Sequence, residues 1–277
     1  MSNPYKKDYI RKAILIILVT IMILVPLWIL VINSFKNRGE SMNAGFMLPT
    51  VWQIKENYTE VYIKGNTVRG FLNSLIFLVT VIPSLIFISS LASWIFARAK
   101  TKLIRTLYYI VISGILIPPA IVCSIKVLKI LNIYGTRLGL YIFYVGTMMS
   151  FALFFTTGFI KSIPIELEEA ARIDGCNNFQ VFFRIIFPLM KPVSATISIF
   201  IGIIIWNDFL WPFYMLRSTK QYTLVLGLYN FVSSAEHSIN WHLVFADVVM
   251  VSLPFVLLYL FAQKYIISGI MSGAIKQ

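Results

Sequence analysis

Residues 13–32 form a run of twenty without a charged side chain. Coiled as a helix at about 1.5 Å per residue, such a run covers the roughly 30 Å hydrocarbon core of a bilayer. Further long apolar runs, two of them holding a single Asp, occupy 71–97, 107–125, 138–160, 193–216 and 243–262. Lipid offers no partner to a backbone N–H or C=O, so a chain that crosses it this often has to do so as helices. The expected fold class is therefore all-α and integral to the membrane, with six transmembrane helices in one domain over residues 1–277. Composition agrees: 13% of residues are charged, where a soluble domain carries roughly a quarter.

The net charge of +13 excludes little by itself. The basic residues lie in short clusters beside the apolar runs, as the positive-inside rule expects, and not along one polar face that would suit nucleic acid. With the N-terminus inside, Lys6, Lys7, Arg11, Lys12, Arg98, Lys100, Lys102, Arg105, Lys161, Arg172, Arg184, Lys191, Lys264 and Lys276 are cytoplasmic, so both termini face the cytoplasm. A cleaved leader would be shorter and end in small residues; here Pro26-Leu27-Trp28 follows instead, which reads as a retained span. Residues 33–70, with Pro49, Trp52, Asn57 and Tyr58, read as a folded external loop, and residues 126–137 as a short surface helix and turn. Cys123 and Cys176 are too far apart in the predicted topology to pair, and neither lies in a C-x-x-C.

Between the fourth and fifth runs lies a polar module, residues 162–192, holding Glu166, Glu168, Glu169 and Asp174. Pro164 suits a first helical turn, and the three glutamates follow where the helix dipole favours acids. Ala170 and Ala171 give that helix a side of little bulk. Gly175 suits the left-handed residue that ends a helix, and Asn177 or Asn178 suits the cap of the next. Phe179, Phe182, Phe183, Ile186 and Phe187 then recur at helical spacing, and Pro188 and Pro192 bend the chain toward the fifth run.

At these residues the sequence resembles the permease subunits of bacterial ATP-binding-cassette importers. Their signature, E-A-A-x3-G-x9-I-x-L-P, is met by Glu169, Ala170, Ala171, Gly175, Ile185 and Pro188, with Phe187 in place of the usual Leu, and Asp174 before the glycine fits the family habit. The resemblance implies the type I importer permease fold, with this segment as a cytoplasmic coupling helix seated in a groove on an ATPase. It also implies as partners a second homologous permease, two ATP-binding-cassette ATPases and an extracellular solute-binding protein. Glu169 would then anchor the helix, the alanines would permit close approach, and Gly175 would set the bend.

Catalytic motifs are absent from the sequence. No G-x-x-x-x-G-K-[ST] occurs, so ATP and Mg2+ are expected on partner subunits, with no cofactor and no enzyme activity in this chain. His237 and His242 are five apart, off the i, i+4 face that a helical metal site uses, and no metal site is expected. Asn57-Tyr58-Thr59 fits the glycosylation acceptor pattern only weakly. Asp208 and Asp247 are the two carboxylates within apolar runs, and both lie near an outer end, which argues against a proton-coupled secondary carrier.

The stretch Trp206-Asn207-Asp208-Phe209-Leu210-Trp211-Pro212 mixes rings with polar groups. Read from its chemistry, it is an interfacial aromatic belt with a helix-end cap; a sugar-facing surface is the second reading. It also resembles the W-N-D-F-x-x-P pattern of the carbohydrate-importing, maltose-type branch of these permeases. Asn73-Ser74, Ala97-Arg98, Thr223-Leu224, Gly227-Leu228, Leu253-Pro254 and Gln263-Lys264-Tyr265 match that branch too. Gly273-Ala274-Ile275-Lys276-Gln277 resembles a tail that reaches between the ATPases, although a basic terminus at the membrane surface is the other reading, and Gln277 stands where the family often has Gly. The resemblance implies an importer that moves a sugar or oligosaccharide through the cytoplasmic membrane by alternating access, with Trp206, Asn207 and Asp208 near the substrate path and Lys276 and Gln277 near the ATPases. A non-sugar solute in the same importer class, or a carrier independent of ATP, are the rival expectations.

Overall fold

The computed structural model describes residues 4–233, 239–254 and 256. Among them the regular structure is helical, and Gly135 and Leu216 share an isolated bridge. Helix α1 (Pro4–Ser34), the single turn α2 (Arg38–Ser41) and α3 (Ile54–Lys64) lead into α4 (Thr67–Arg98). Then come α5 (Lys102–Ser113), α6 (Ile121–Ile130) and α7 (Arg137–Lys161). The polar module holds α8 (Glu166–Ile173), α9 (Asn178–Val181) and α10 (Phe187–Leu189), with a π-helical turn over Phe182–Ile186. Last are α11 (Lys191–Asn207), α12 (Leu210–Met215), α13 (Leu224–Ser233) and α14 (Trp241–Pro254).

Three of these described helices, α1 from Ile14, α4 and α7, are long and apolar enough to cross a membrane. The pair Asn178–Leu189 and Lys191–Asn207 passes the same test together but is bent by 65°. The apolar run at 107–125 is not one helix. It stops at Ser113 and resumes at Ile121, because Pro118 and Pro119 lack the N–H that would continue the ladder. Helix α6 then continues to Ile130, through residues expected as surface structure, before a turn in which Asn132 and Gly135 have positive φ. The run at 193–216 is likewise divided, between α11 and α12.

The chain forms two compact units. Among the described residues, one comprises 4–68, 227–233, 239–254 and 256. In it α1 leaves Ile14 to Leu24 largely exposed, as a lipid-facing helix does, while its end is tied into the segment over residues 35–64. The Asn57 side-chain amide is buried and donates to the carbonyls of Ser34 and Lys36, each at 2.9 Å. Tyr58 Oη lies 3.0 Å from Ser34 Oγ, and Phe35 packs between Trp52 and Tyr58. Burial pushes the Tyr58 phenol above its usual range. Val61 packs with Leu243 and Ala246. The loop is folded because its polar groups close the carbonyls that α1 leaves open at its end.

The other unit comprises residues 69–226 among those described. Its core is a seam of α4, α7, the π turn and α11, including Phe77, Val81, Leu85, Leu140, Tyr144, Ile160, Ile186, Ile197 and Ile201. Where α4 meets α7 the residues are small: Thr157 Oγ1 donates to Ser93 Oγ at 2.9 Å, and Ser93 also pairs with Thr156. Small hydroxylated residues let helices approach closely and bond across the contact. Toward the other end of α4, Asn73 Nδ2 donates to the carbonyls of Lys220 and Tyr222, and Arg137 Nη2 donates to Asn73 Oδ1 at 2.6 Å. Leu224 N donates to Ser74 Oγ at 2.9 Å. Asn73-Ser74 thus holds the chain between α12 and α13.

Candidate functional site

The polar module is built from two opposed end motifs. Helix α8 begins at Glu166, two residues after Pro164, with Glu166, Glu168 and Glu169 in its first turn. It ends in a Schellman arrangement: Cys176 N donates to the carbonyl of Ala171 at 2.9 Å and Gly175 N to that of Arg172 at 3.1 Å. Gly175 has φ +85°, and a Cβ there would meet nothing within 4 Å, so the glycine is required by backbone conformation and not by space. Asn177 caps α9: its Oδ1 accepts from Gln180 N at 2.9 Å, while Gln180 Oε1 accepts from Asn177 N at 2.9 Å. Of the two asparagines suited to the cap, Asn177 takes it and Asn178 is the first residue of α9. The Asn-x-x-Gln spacing of a capping box was the signal that separates them.

Helical geometry splits the signature residues between two faces, because neighbours on an α-helix lie about 100° apart. Ala171 is buried, at 6% exposure, whereas Ala170 is exposed. The pair therefore does not form one side of little bulk. Exposed with Ala170 are Glu169, Ile173 and Asp174, and beyond the turn Phe179 is 71% exposed. Ile173, at 87% exposure, is the more exposed of the two large apolar side chains on this helix, Leu167 being 44% exposed. Ile185 lies in the π turn and Pro188 at the start of α10, both half-buried. A π turn inserts one extra residue per turn, and here only the short α10 separates it from the 65° bend at Met190.

Glu168 departs from the sequence expectation. It reads as one of three acids favoured by the helix dipole, yet it is 1% exposed. Its Oε1 accepts from Arg98 Nε at 2.8 Å and its Oε2 from Trp94 Nε1 at 3.0 Å, with Arg172 Nη2 at 3.4 Å. Arg98 Nη2 also donates to the carbonyl of Ile163 at 2.9 Å. The only sequence trace was that Glu168 and Ala171 are three apart and so share a face.

The second candidate stretch is engaged in folding. Trp206 is 2% exposed and meets Phe71 edge-on at 5.8 Å. Asp208 ends α11: its Oδ1 accepts from Trp211 N at 3.3 Å and its Oδ2 from Tyr144 Oη at 2.6 Å. Trp211 packs on Phe143 with ring centroids 4.3 Å apart. Of the three residues expected along a substrate path, only Asn207 is exposed, with its amide turned back onto the carbonyl of Ile203 at 2.9 Å. The helix-end cap in this stretch is realised by Asp208. Asn57, in the glycosylation-like triplet, is buried and bonded, which removes it as an acceptor in the folded chain. His242 is buried, and His237, Lys276 and Gln277 lie outside the described residues. Among the described residues no group of three or more His, Cys, Asp or Glu side chains is placed to hold a metal ion.

Comparison with known proteins places this arrangement. Residues 58–272 match the family described as binding-protein-dependent transport system inner membrane component. The chain is 30% identical over 277 residues to the diacetylchitobiose uptake system permease protein NgcG of Streptomyces coelicolor, covering 99% of this chain and 91% of that one. It is 34% identical over 255 residues to the melibiose/raffinose/stachyose import permease protein MelC of Bacillus subtilis, covering 91% of each. Its fold is similar, with a TM-score of 0.83 at 23% identity, to a chain in the crystal structure of a bacterial ABC transporter involved in the import of the acidic polysaccharide alginate, covering 96% of this chain and 99% of that one. The chain belongs to the binding-protein-dependent transport system inner membrane components, and is a helical, multi-pass permease subunit of an ABC importer.

Proposed function

We propose that this permease moves a sugar or oligosaccharide into the cell, driven by ATPase partners that grip the exposed face of α8. The observation that carries the docking role is the face itself: Glu169, Ala170, Ile173 and Asp174 are exposed on a helix of eight residues whose opposite side is anchored in the core. Glu169 and Asp174 offer carboxylates to cations, Ala170 leaves room for close approach, and Ile173 and Phe179 offer apolar surface to a pocket. The sugar assignment rests on relatives such as NgcG and MelC, whose names state sugar uptake.

In this reading both termini and the 162–192 module are cytoplasmic, and a solute-binding protein delivers substrate from outside. A second permease completes the path. Nucleotide and its Mg2+ sit on the ATPases and supply the energy of their closure. What this chain contributes is a two-state membrane element, which the ATPases bias through contacts at α8 that differ between the states. Gly175 fixes the angle between α8 and α9, and Ile185 and Pro188 pass it into the bend ahead of α11. Lys276 and Gln277 are proposed as further ATPase contacts, and Asn207 as the residue of the 206–208 stretch free to face substrate.

The test is purification of the tagged chain from its native membrane in mild detergent, with the co-purifying chains identified by mass and the binding protein screened against sugars. A second permease, a P-loop ATPase and a sugar-selective binding protein are expected. The chain alone, with uptake that persists after the ATPases are deleted, would overturn the importer mechanism; a binding protein selective for a non-sugar solute would overturn the substrate class.

A further inference from the structure

We infer that Glu168, Arg98 and Trp94 form a clasp that makes the end of α4 part of the moving body, so that ATPase closure is passed to a second membrane helix besides α11. The inference rests on the docking role proposed for α8 and adds a positioning residue to it. Three contacts carry it. Trp94 and Arg98 are four residues apart and therefore share one face of the last turns of α4. That face reaches the module at three separated points: Ile163 before α8 through Arg98 Nη2, Glu168 within α8 through both side chains, and Phe182 at the start of the π turn through ring packing of Trp94 at 5.7 Å. A helix held at three points that span both sides of the Gly175 turn cannot pivot against the module without breaking a bond.

The chemistry of the central contact separates it from ordinary packing. Glu168 is 1% exposed and ends a hydrogen-bonded group of one carboxylate, one indole N–H and two guanidinium groups. Apolar residues of the same volume would hold two helices together as well or better, because taking a carboxylate out of water is costly. What a directional, fully bonded ion pair adds is a fixed register: at 2.8 Å it tolerates little sliding, whereas apolar side chains slip past one another readily. The outward neighbour Glu169 and the inward Glu168 thus divide the work, one facing the partner and the other facing α4. Motion applied at the first arrives at the second through a single peptide unit of the helix.

The experiment uses the whole transporter, reconstituted in liposomes with its partner permease, ATPases and binding protein. Sugar uptake, binding-protein-stimulated ATP hydrolysis and ATPase co-purification are measured for Glu168→Gln, Arg98→Lys and Glu169→Lys. Glu168→Gln keeps shape and loses the charge. It should retain bound ATPase while the sugar moved per ATP falls roughly threefold to thirtyfold. A folding defect would instead reduce the yield of complex and leave that ratio unchanged, and an unchanged ratio overturns the clasp. Glu169→Lys reports on the docking role: normal uptake and normal ATPase retention there overturn that reading, independently of the result at Glu168. A second measurement needs no substitution in the clasp. With Cys123 and Cys176 replaced by serine, spin labels are placed through Lys100→Cys and Glu166→Cys, both exposed positions outside the docking face and the clasp. Their separation in the resting and nucleotide-trapped states should agree within about 3 Å, less than one helical turn; a larger change overturns the proposal.

Discussion

Arg98 Nε lies 2.8 Å from Glu168 Oε1, across seventy residues of sequence and between the end of a membrane helix and a helix of the polar module. The arginine is 20% exposed at its side chain and the glutamate 1%, so the pair sits at the edge of the core with its anion sealed inside. Removing one member leaves the other buried without its counter-charge. Glu168→Ala or Arg98→Ala should cost about 3 kcal/mol or more. The double variant Glu168→Leu with Arg98→Met should recover much of that, as buried pairs replaced by apolar residues do. Thermal unfolding of the detergent-solubilised complex, followed by size-exclusion chromatography, checks both. A double variant as unstable as the singles would show that the Trp94 and Ile163 bonds carry the contact.

Gly175 has its left-handed φ in open surroundings, so its substitution isolates backbone strain from steric clash. Gly175→Ala should cost about 1 kcal/mol, Gly175→Asn less, and Gly175→Val more, since a β-branched residue tolerates that region worst. Transport rates of the three, measured at equal membrane levels, should follow the same order. Equal rates for all three would separate the turn from coupling.

Glu169 is exposed where Glu168 is not. Glu169→Lys should leave insertion and thermal stability within about 0.5 kcal/mol of the parent, as exposed substitutions do, while abolishing ATPase co-purification. Retention of the ATPase by a stable Glu169→Lys chain would count against its anchoring role.

Tyr144 Oη donates to Asp208 Oδ2 at 2.6 Å, which ties α7 to the break between α11 and α12. Tyr144→Phe should lower stability by roughly 1 kcal/mol, the usual range for a hydrogen bond between membrane helices. Asn207→Ala is expected to leave stability nearly unchanged but to raise the KM for uptake. Uptake kinetics with the loaded binding protein, set beside melting curves, distinguish the two. A KM unaltered by Asn207→Ala would remove that residue from the substrate path.

Asn57 bonds two carbonyls from a buried position. Asn57→Asp puts a charge where a neutral donor belongs and should cost about 1–3 kcal/mol. Limited proteolysis is the direct readout, with cleavage between residues 35 and 53 appearing in the variant and not in the parent.

The local features were readable because their causes are local. Apolar run length decides whether a helix can lie in lipid, and the basic clusters beside the runs accord with a multi-pass inner-membrane component. Pro118-Pro119 and Gly175 each act through their own φ, and the break and the αL turn appear where expected. The E-A-A-x3-G spacing identified the family because spacing along a helix is preserved whatever the helix touches.

Other features depend on which way a residue faces once distant segments are packed, and periodicity on a helix of eight residues is too short to settle that. Glu166, Glu168 and Glu169 are the same chemistry at the start of the same helix, yet only Glu168 is buried, because Arg98 and Trp94 arrive beside it from α4. Trp206 and Asp208 look equally suited to a sugar, but Phe71 and Tyr144 occupy them. Run length and the Pro and Gly positions were enough for the membrane class and the helix breaks. Which acid is sealed against a cation and which stays exposed was settled by packing, since a charge is tolerated in a core only where another segment brings its counter-charge within bonding distance.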